Sequence, residues 1–414
     1  MASTDYITEE ATAADQVQLG KPLADSLFKA GLGVGLAGLV AAVGWGAATG
    51  FDQFSRAFVV AICFCLSISL GGLFFVMIHH LVGARWSTVV RRVAENLTAA
   101  FPVLGVLTFA GIVLPAVAGY DGLYMWVDPD LRHSDHLIHA KGAWFSPIFF
   151  AIRIAIYFGV WTLIARYFRS KSIAQDTSGD KDISVSLRVA SAPAILGFAF
   201  STAFFSFDIL MSIDPRWFST MFPVYFFAGC ALSIYSTIAL VTMYLQGKGR
   251  LTKSVNAEHY HDLGKFMFGF IFFWGYVAFS QFMLIWYADL PEETLWFAAR
   301  FKGGWQWVST ALLFIHFIIP FLALMSRHPK RRKATLAALA IWCLFAHIVD
   351  LFWITFPAEK GFEHFTADQF LITLVAIVGV GGVFVATLAR AFNKAPLLPV
   401  KDPTLRSSLQ FENI

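Results

Sequence analysis

Charge is scarce in this sequence: only 14% of its 414 residues are Asp, Glu, Lys or Arg, against about 25% in a typical soluble domain. That shortage excludes an ordinary soluble globular protein, which needs more polar surface to stay dispersed. Cysteine is scarce too. Cys63, Cys65, Cys230 and Cys343 are the four present, all inside apolar blocks, and neither CxxC nor CxxCH occurs. A thiolate-held iron–sulfur cluster and covalent haem c are therefore not encoded here, and the four thiols read as small buried hydrophobes. Residues 1–20 lack a basic n-region and a short apolar segment, so no cleavable signal peptide is expected and the first helix serves as its own insertion signal. No soluble domain is expected, which confines function to the membrane or to partners docked on it.

What the sequence has is hydrocarbon. Hydrophobic residues make up 57% of it, mean hydropathy is +0.65, and the apolar residues come in blocks near the roughly 20 residues that span a bilayer. The 44 Phe and 13 Trp suit a lipid-facing surface with interfacial aromatic belts. The pattern predicts an all-α polytopic membrane protein with ten spans, at residues 28–50, 56–82, 99–120, 143–168, 189–213, 220–245, 263–287, 305–326, 334–356 and 368–392. Tails of 1–27 and 393–414 flank them. Lys and Arg alternate between the two sets of loops. One set holds Arg85, Arg91, Arg92, the cations of 166–188, those of 248–265 and the run from Arg327 to Lys333, with both tails. The other holds only Arg56, Arg132, Lys141, Arg216, Arg300, Lys302 and Lys360. The positive-inside rule then puts both termini in the cytoplasm. Residues 121–142 form the long outer loop, and the polar Ser/Asp-rich stretch 169–188 is expected to be a flexible inner loop.

Ionisable groups inside a bilayer are costly and are functional candidates for that reason. Arg153 falls near the middle of the fourth span and Asp208 about one and a half turns from the outer end of the fifth. His347 and Asp350 are three apart on the ninth, on neighbouring faces. Gln281 and Asp289 mark the outer end of the seventh, and His316 the middle of the eighth. Two carboxylates, a histidine and nearby hydroxyls suit a proton relay. The plainer reading is that Arg153 neutralises Asp208 or Asp350 and fixes helix register. His79 and His80 are expected to reach for the interface. His133, His136 and His139, spaced by three among aspartates, raise a metal site, although a solvated loop suits them better. His316 and His347 raise haem ligation, the weaker reading for histidines on helices.

Several long runs point further: residues 207–222 (FDILMSIDPRWFSTMF), 260–265 (YHDLGK), 279–288 (FSQFMLIWYA) with PEET at 291–294, Gly304-Trp305 through 316–321 (HFIIPF), and Asp350 ahead of Pro357. Together, and in order across the whole membrane region, they resemble the F subunit of bacterial alternative complex III, a quinol:electron-acceptor oxidoreductase. That family is similar to the NrfD/PsrC membrane subunits of polysulfide-reductase-like enzymes. The resemblance implies two four-helix bundles, helices two to five and six to nine, with the first and tenth outside them, in the bacterial cytoplasmic (inner) membrane. It implies as partners a multihaem cytochrome c subunit, an iron–sulfur subunit, a related NrfD-like C subunit, small membrane subunits and a terminal oxidase, with lipids and no nucleic acid. Haem c and the iron–sulfur clusters would sit on those partners, and this chain would carry none. It further implies proton half-channels through membrane carboxylates and histidines, here Asp208, His347 and Asp350 with Arg153, Asp289 and Gln281. The direct quinol site is usually assigned to the C subunit.

Three functions compete at this level. The first is a structural, proton-conducting subunit with no redox chemistry of its own. The second is a subunit with its own quinone site at the outer ends of helices two to five, near Asp208 and Arg153. The third and weakest is a stand-alone secondary transporter, disfavoured because no inverted repeat is visible and the prolines lie mainly towards span ends.

Overall fold

The computed structural model describes residues 8–358 and 361–413. Residues 1–7, Ile414, Glu359 and Lys360 (the last counted above among the sparse outer cations) lie outside them. Ten helices are long and apolar enough to cross a bilayer, and the described residues contain no strand beyond one isolated bridge, Ala358–Phe362. In hydrocarbon every backbone N–H and C=O must be satisfied within its own segment, which a helix does. The chain is an integral, multi-pass membrane protein. The helices are α1 (Lys21–Thr49), α2 (Phe51–Leu81), α3 (Thr88–Val117), α4 (Pro147–Ser178), α5 (Lys181–Ile209), α6 (Phe222–Gly247), α7 (Ala257–Ala288), α8 (Trp305–Met325), α9 (Lys333–Thr355) and α10 (Ala367–Phe392).

The expected flexible loop at 169–188 is a correction. Helices α4 and α5 run through it, and only Gly179 and Asp180 break them. Gly179 takes a left-handed φ of 67°, and the Asp180 carboxylate caps α5 by accepting from Asp182 N–H. Polarity here marks helix that projects beyond the apolar layer, held by Gln175 donating to Ser184 Oγ and Asp180 O and by Asp176 bound to Arg92 at 2.9 Å. The third span also differs from expectation: it starts at Thr88 rather than at 99. Its first ten residues include Arg91, Arg92 and Glu95, all buried. Arg92 and Glu95 pair at 2.9 Å, so the charges that hid this segment from a hydropathy reading satisfy one another.

Helices α2 to α5 form one four-helix bundle and α6 to α9 a second. Their shared spine is α2 against α6. In the most apolar stretches of these two helices 89% and 78% of residues are buried, against 22% in α8. Outside the bundles α10 packs on α2 and, most extensively, on α1. The α1–α10 seam is made of small residues. A Cβ added at Gly35 would lie 2.6 Å from Val383 N, and one at Gly38 would lie 2.6 Å from Gly379 N. Glycine here lets two backbones touch, which is how helices associate where no hydrophobic effect drives them together.

Two spans contain π-turns, each just before a proline: 109–113 before Pro115 in α3, and 313–318 around Pro320 in α8. A proline ring collides with the carbonyl four residues back and removes one helical hydrogen bond. Widening the preceding turn relieves both. In α8 the carbonyl four residues before Pro320 is that of His316, so the proline is the local reason His316 sits on a wide turn.

The C-terminal segment is docked rather than free. Leu397 N–H donates to Val17 O at 2.6 Å, His259 Nε2 meets Ser408 O at 3.0 Å, and Asp402 pairs with Arg91. Burial opposes ionisation of Asp402, but Arg91 and the Thr404 hydrogen bonds outweigh it and hold its carboxyl below the usual carboxylate range. A depressed carboxylate adds stability above its unfolded pKa and loses it as pH falls through the folded one. Docking of residues 397–409 is therefore expected to be intact at neutral pH and to loosen only below about pH 4. Hydrogen exchange of that segment against pH checks this. Protection lost between pH 8 and 6 would contradict it.

Candidate functional site

The candidate ionisable residues separate into two centres, one per bundle. In the first, Arg153 on α4 grips Asp208 on α5 with two hydrogen bonds, Nε to Oδ2 at 2.8 Å and Nη2 to Oδ1 at 2.9 Å. Trp144 Nε1 donates to Oδ1 at 2.9 Å and the Tyr157 hydroxyl to Oδ2 at 2.8 Å. Arg153 also donates to Trp144 O at 3.0 Å, and its guanidinium lies over the Trp144 and Phe149 rings at 4.0 and 4.5 Å. Both partners are buried. A forked guanidinium–carboxylate pair with every oxygen engaged is the geometry of a clamp between two helices. It leaves no acceptor site idle for a passing ligand or proton.

The second centre is less saturated. Asp350 on α9 accepts from the Tyr225 hydroxyl of α6 and from Trp274 Nε1 of α7 at 3.2 Å. His347, one turn back on α9, brings Nδ1 to 3.9 Å from Asp350 Oδ2. Its Nε2 reaches Ser67 Oγ on α2 at 3.2 Å, so the ring spans the junction between the bundles. Gly229 on α6 makes room for it, since a side chain there would overlap the imidazole. His316 stacks on Trp274 with centroids 3.8 Å apart and sits 6.5 Å from the His347 ring. All three acid–base groups are almost fully buried. Both ring nitrogens of His316 and Nδ1 of His347 have no hydrogen-bond partner. Other buried polar atoms of the described residues also lack a partner, so what distinguishes this cluster is three such imidazole nitrogens gathered beside a buried carboxylate.

One ligand atom from each of His316, His347 and Asp350 lies within 4.8 Å of the other two. Two imidazoles and a carboxylate gathered this closely form an acid–base cluster whose ligand atoms could also hold a cation. A haem between the two imidazoles has no slot, because Trp274 covers one face of His316 and Gly229 and Ser67 crowd His347.

Two openings approach this centre. A cleft of about 400 Å³ between α7 and α8 is lined mostly by aromatic residues, with Tyr225, Trp274 and Gln281 in its walls. Its rim residues Phe279, Phe301 and Leu313 are about half exposed or more, so it faces the lipid side. Gln281 is buried in it with Oε1 unpartnered. On the face opposite the basic loops, a polar vestibule of about 290 Å³ lies between the bundles. At its floor Arg56 donates to Thr355 O at 2.6 Å, and Arg300 donates to Ile354 O at 2.7 Å and Trp353 O at 3.2 Å. These two guanidiniums cap the free carbonyls at the C-terminal end of α9, one turn beyond Asp350.

The remaining candidates fall elsewhere. Asp289 is exposed and ends α7 in a left-handed turn with φ 48°, away from both centres. His133, His136 and His139 are exposed. The aspartates beside them act as caps: Asp128 accepts from Asp130 N–H and Asp135 from Leu137 and Ile138 N–H. His79 and His80 do not extend into solvent, although both line a pocket at the basic-face end of α2. Both are buried because α2 is the central helix, and His79 Nδ1 meets Phe75 O at 2.7 Å. Tyr225, Trp274 and Ser67 were not singled out from sequence, being ordinary in apolar helices, and His316 was named as an intramembrane ionisable group and haem-ligand candidate but not placed in the relay. The chain matches no protein-family model and no curated protein.

Proposed function

We propose that this chain is a proton-conducting membrane subunit of a respiratory quinol:electron-acceptor oxidoreductase of the alternative complex III kind, with its relay at Asp350, His347 and His316. The observation that supports it best is the under-satisfied acid–base cluster at the junction of the bundles, beside a clamp in the other bundle whose groups are all engaged. Asp350 is the proton acceptor, Tyr225 and Trp274 orient it, and His347 passes the proton towards Ser67 on α2. Beyond His347, Ser233 and Thr237 lie one and two turns along α6 from Gly229, buried, with hydroxyls that lack partners, and would continue the path towards the basic face. The vestibule supplies the other half. In this reading the basic face is cytoplasmic, the membrane is the bacterial inner membrane, and electrons travel on haem c and iron–sulfur partners. The sequence runs at 207–222, 260–265 and 279–294 support the complex.

Asp350→Asn keeps the size and most hydrogen bonds of the site but removes its titration. In the complex purified from native membranes and placed in vesicles, it is expected to leave assembly intact and lower protons released per electron. An unchanged ratio in Asp350→Asn and in His347→Gln would end the relay reading. A bound transition metal, found by elemental analysis and lost in both variants, would convert the cluster into a metal site.

A second reading, a quinone site on this chain, is favoured by the lipid-facing cleft and its unpartnered Gln281, not by Asp208, whose oxygens are all taken. Photolabelling with an azidoquinone would decide it by the peptide modified, 274–282 rather than 204–212.

A further inference from the structure

On the basic face a pocket of about 240 Å³ lies where the end of α2, the start of α3, the start of α5 and the docked C-terminal segment meet. Arg85, Arg91 and Arg188 line it, against one carboxylate, Asp402. That carboxylate is already engaged by Arg91 and by Thr404 Oγ1 and N–H. Arg188 donates through Nε to Leu81 O at 3.2 Å. Neither Arg188 nor Arg85 has an anionic partner among the described residues. His80 also lines the pocket, 7% exposed, with Nε2 unpartnered. Two exposed arginines and a buried, unpartnered imidazole nitrogen thus converge on a space that holds no free negative charge.

The surface below the pocket is apolar. Val82, Val185, Val189, Leu196 and Phe200 are each at least 60% exposed, and the last four follow one face of α5 down into the hydrocarbon layer at helical spacing. A phosphate bound by the arginines would have an acyl chain's path directly beneath it.

We propose that this pocket binds the phosphate of an anionic phospholipid, with Arg85 and Arg188 pairing with its oxygens, His80 donating from the buried wall, and an acyl chain lying along the α5 face. Basic pockets between spans at the membrane surface recognise lipid headgroups in this way. The valine and phenylalanine strip favours a lipid over free phosphate, which would have no use for it. The site does not depend on the proton reading.

The test is native mass spectrometry of the detergent-purified protein titrated with dioleoylphosphatidylglycerol, dioleoylphosphatidylcholine or inorganic phosphate. Wild type is expected to retain phosphatidylglycerol in preference to phosphatidylcholine, and Arg85→Gln/Arg188→Gln to bind it roughly fivefold to thirtyfold more weakly, as the loss of one to two arginine contacts implies. Both arginines are exposed, so the double variant should fold, and an unchanged elution profile would show that it does. Equal retention of phosphatidylglycerol by both proteins would overturn the site. Displacement of the lipid by millimolar phosphate would overturn its assignment to a lipid.

Discussion

Arg153→Met is expected to abolish accumulation of folded protein, whereas Arg153→Met combined with Asp208→Leu is expected to restore much of it. The single change strips a buried carboxylate of its guanidinium and leaves only the Trp144 and Tyr157 donors. Breaking one partner of a buried pair costs about 3–5 kcal/mol, a large share of the roughly 5–15 kcal/mol that holds a domain folded. Replacing both partners by apolar side chains removes the desolvation penalty together with the attraction, and such exchanges are often neutral or stabilising. The readout is yield of monodisperse protein after detergent extraction. If the double variant is as poor as the single, the clamp is more than a pair of mutually neutralising charges. If the double variant folds but proton release falls, Asp208 joins the conduction path and the division between a clamp and a relay fails.

The second large effect is expected at the α1–α10 seam. Gly35→Leu should lift the two helices apart, because its side chain would start 2.6 Å from Val383 N and 3.0 Å from Gly379 O. Backbone atoms in two packed helices cannot rotate aside as a side chain can. Overpacking in a tight core typically costs about 1–3 kcal/mol and occasionally more, and here the whole seam must open. Gly33→Leu is the matched control, since a Cβ there meets nothing within 4 Å. The thermal midpoint in detergent should fall by several degrees for Gly35→Leu and stay put for Gly33→Leu. Equal midpoints would mean that helix α1 contributes little to the folded state.

The ten spans were legible because hydrocarbon imposes its own length and polarity rule. Their centres matched to within a few residues except in α3, where buried charges masked ten helical residues, and in α4 and α5, whose polar ends extend through the expected loop. The 169–188 stretch misled for the converse reason: its polarity is satisfied by the C-terminal segment and by Arg92, partners that sequence spacing does not announce. The site was half legible. Arg153, Asp208, His347 and Asp350 stand out because charge in an apolar span is costly, but which charge meets which depends on helix rotation and neighbour order. Tyr225 and Trp274 carry no such signal in a chain with 44 Phe, 13 Trp and 11 Tyr. The one hint available for His316 was Pro320 four residues later, which makes a wide turn at that histidine.

The glycine seam also fixes an order of events during synthesis. Helix α1 emerges from the ribosome first, yet the surface it fits belongs to α10, and residues 50–366 are made between them. At roughly 5–20 residues per second, α1 waits on the order of tens of seconds with its flat glycine face turned to lipid. Through that interval the nearest matching surface is the same helix on another nascent chain. Crowded insertion sites would therefore favour mispaired dimers, and slow translation of the last span would raise their yield.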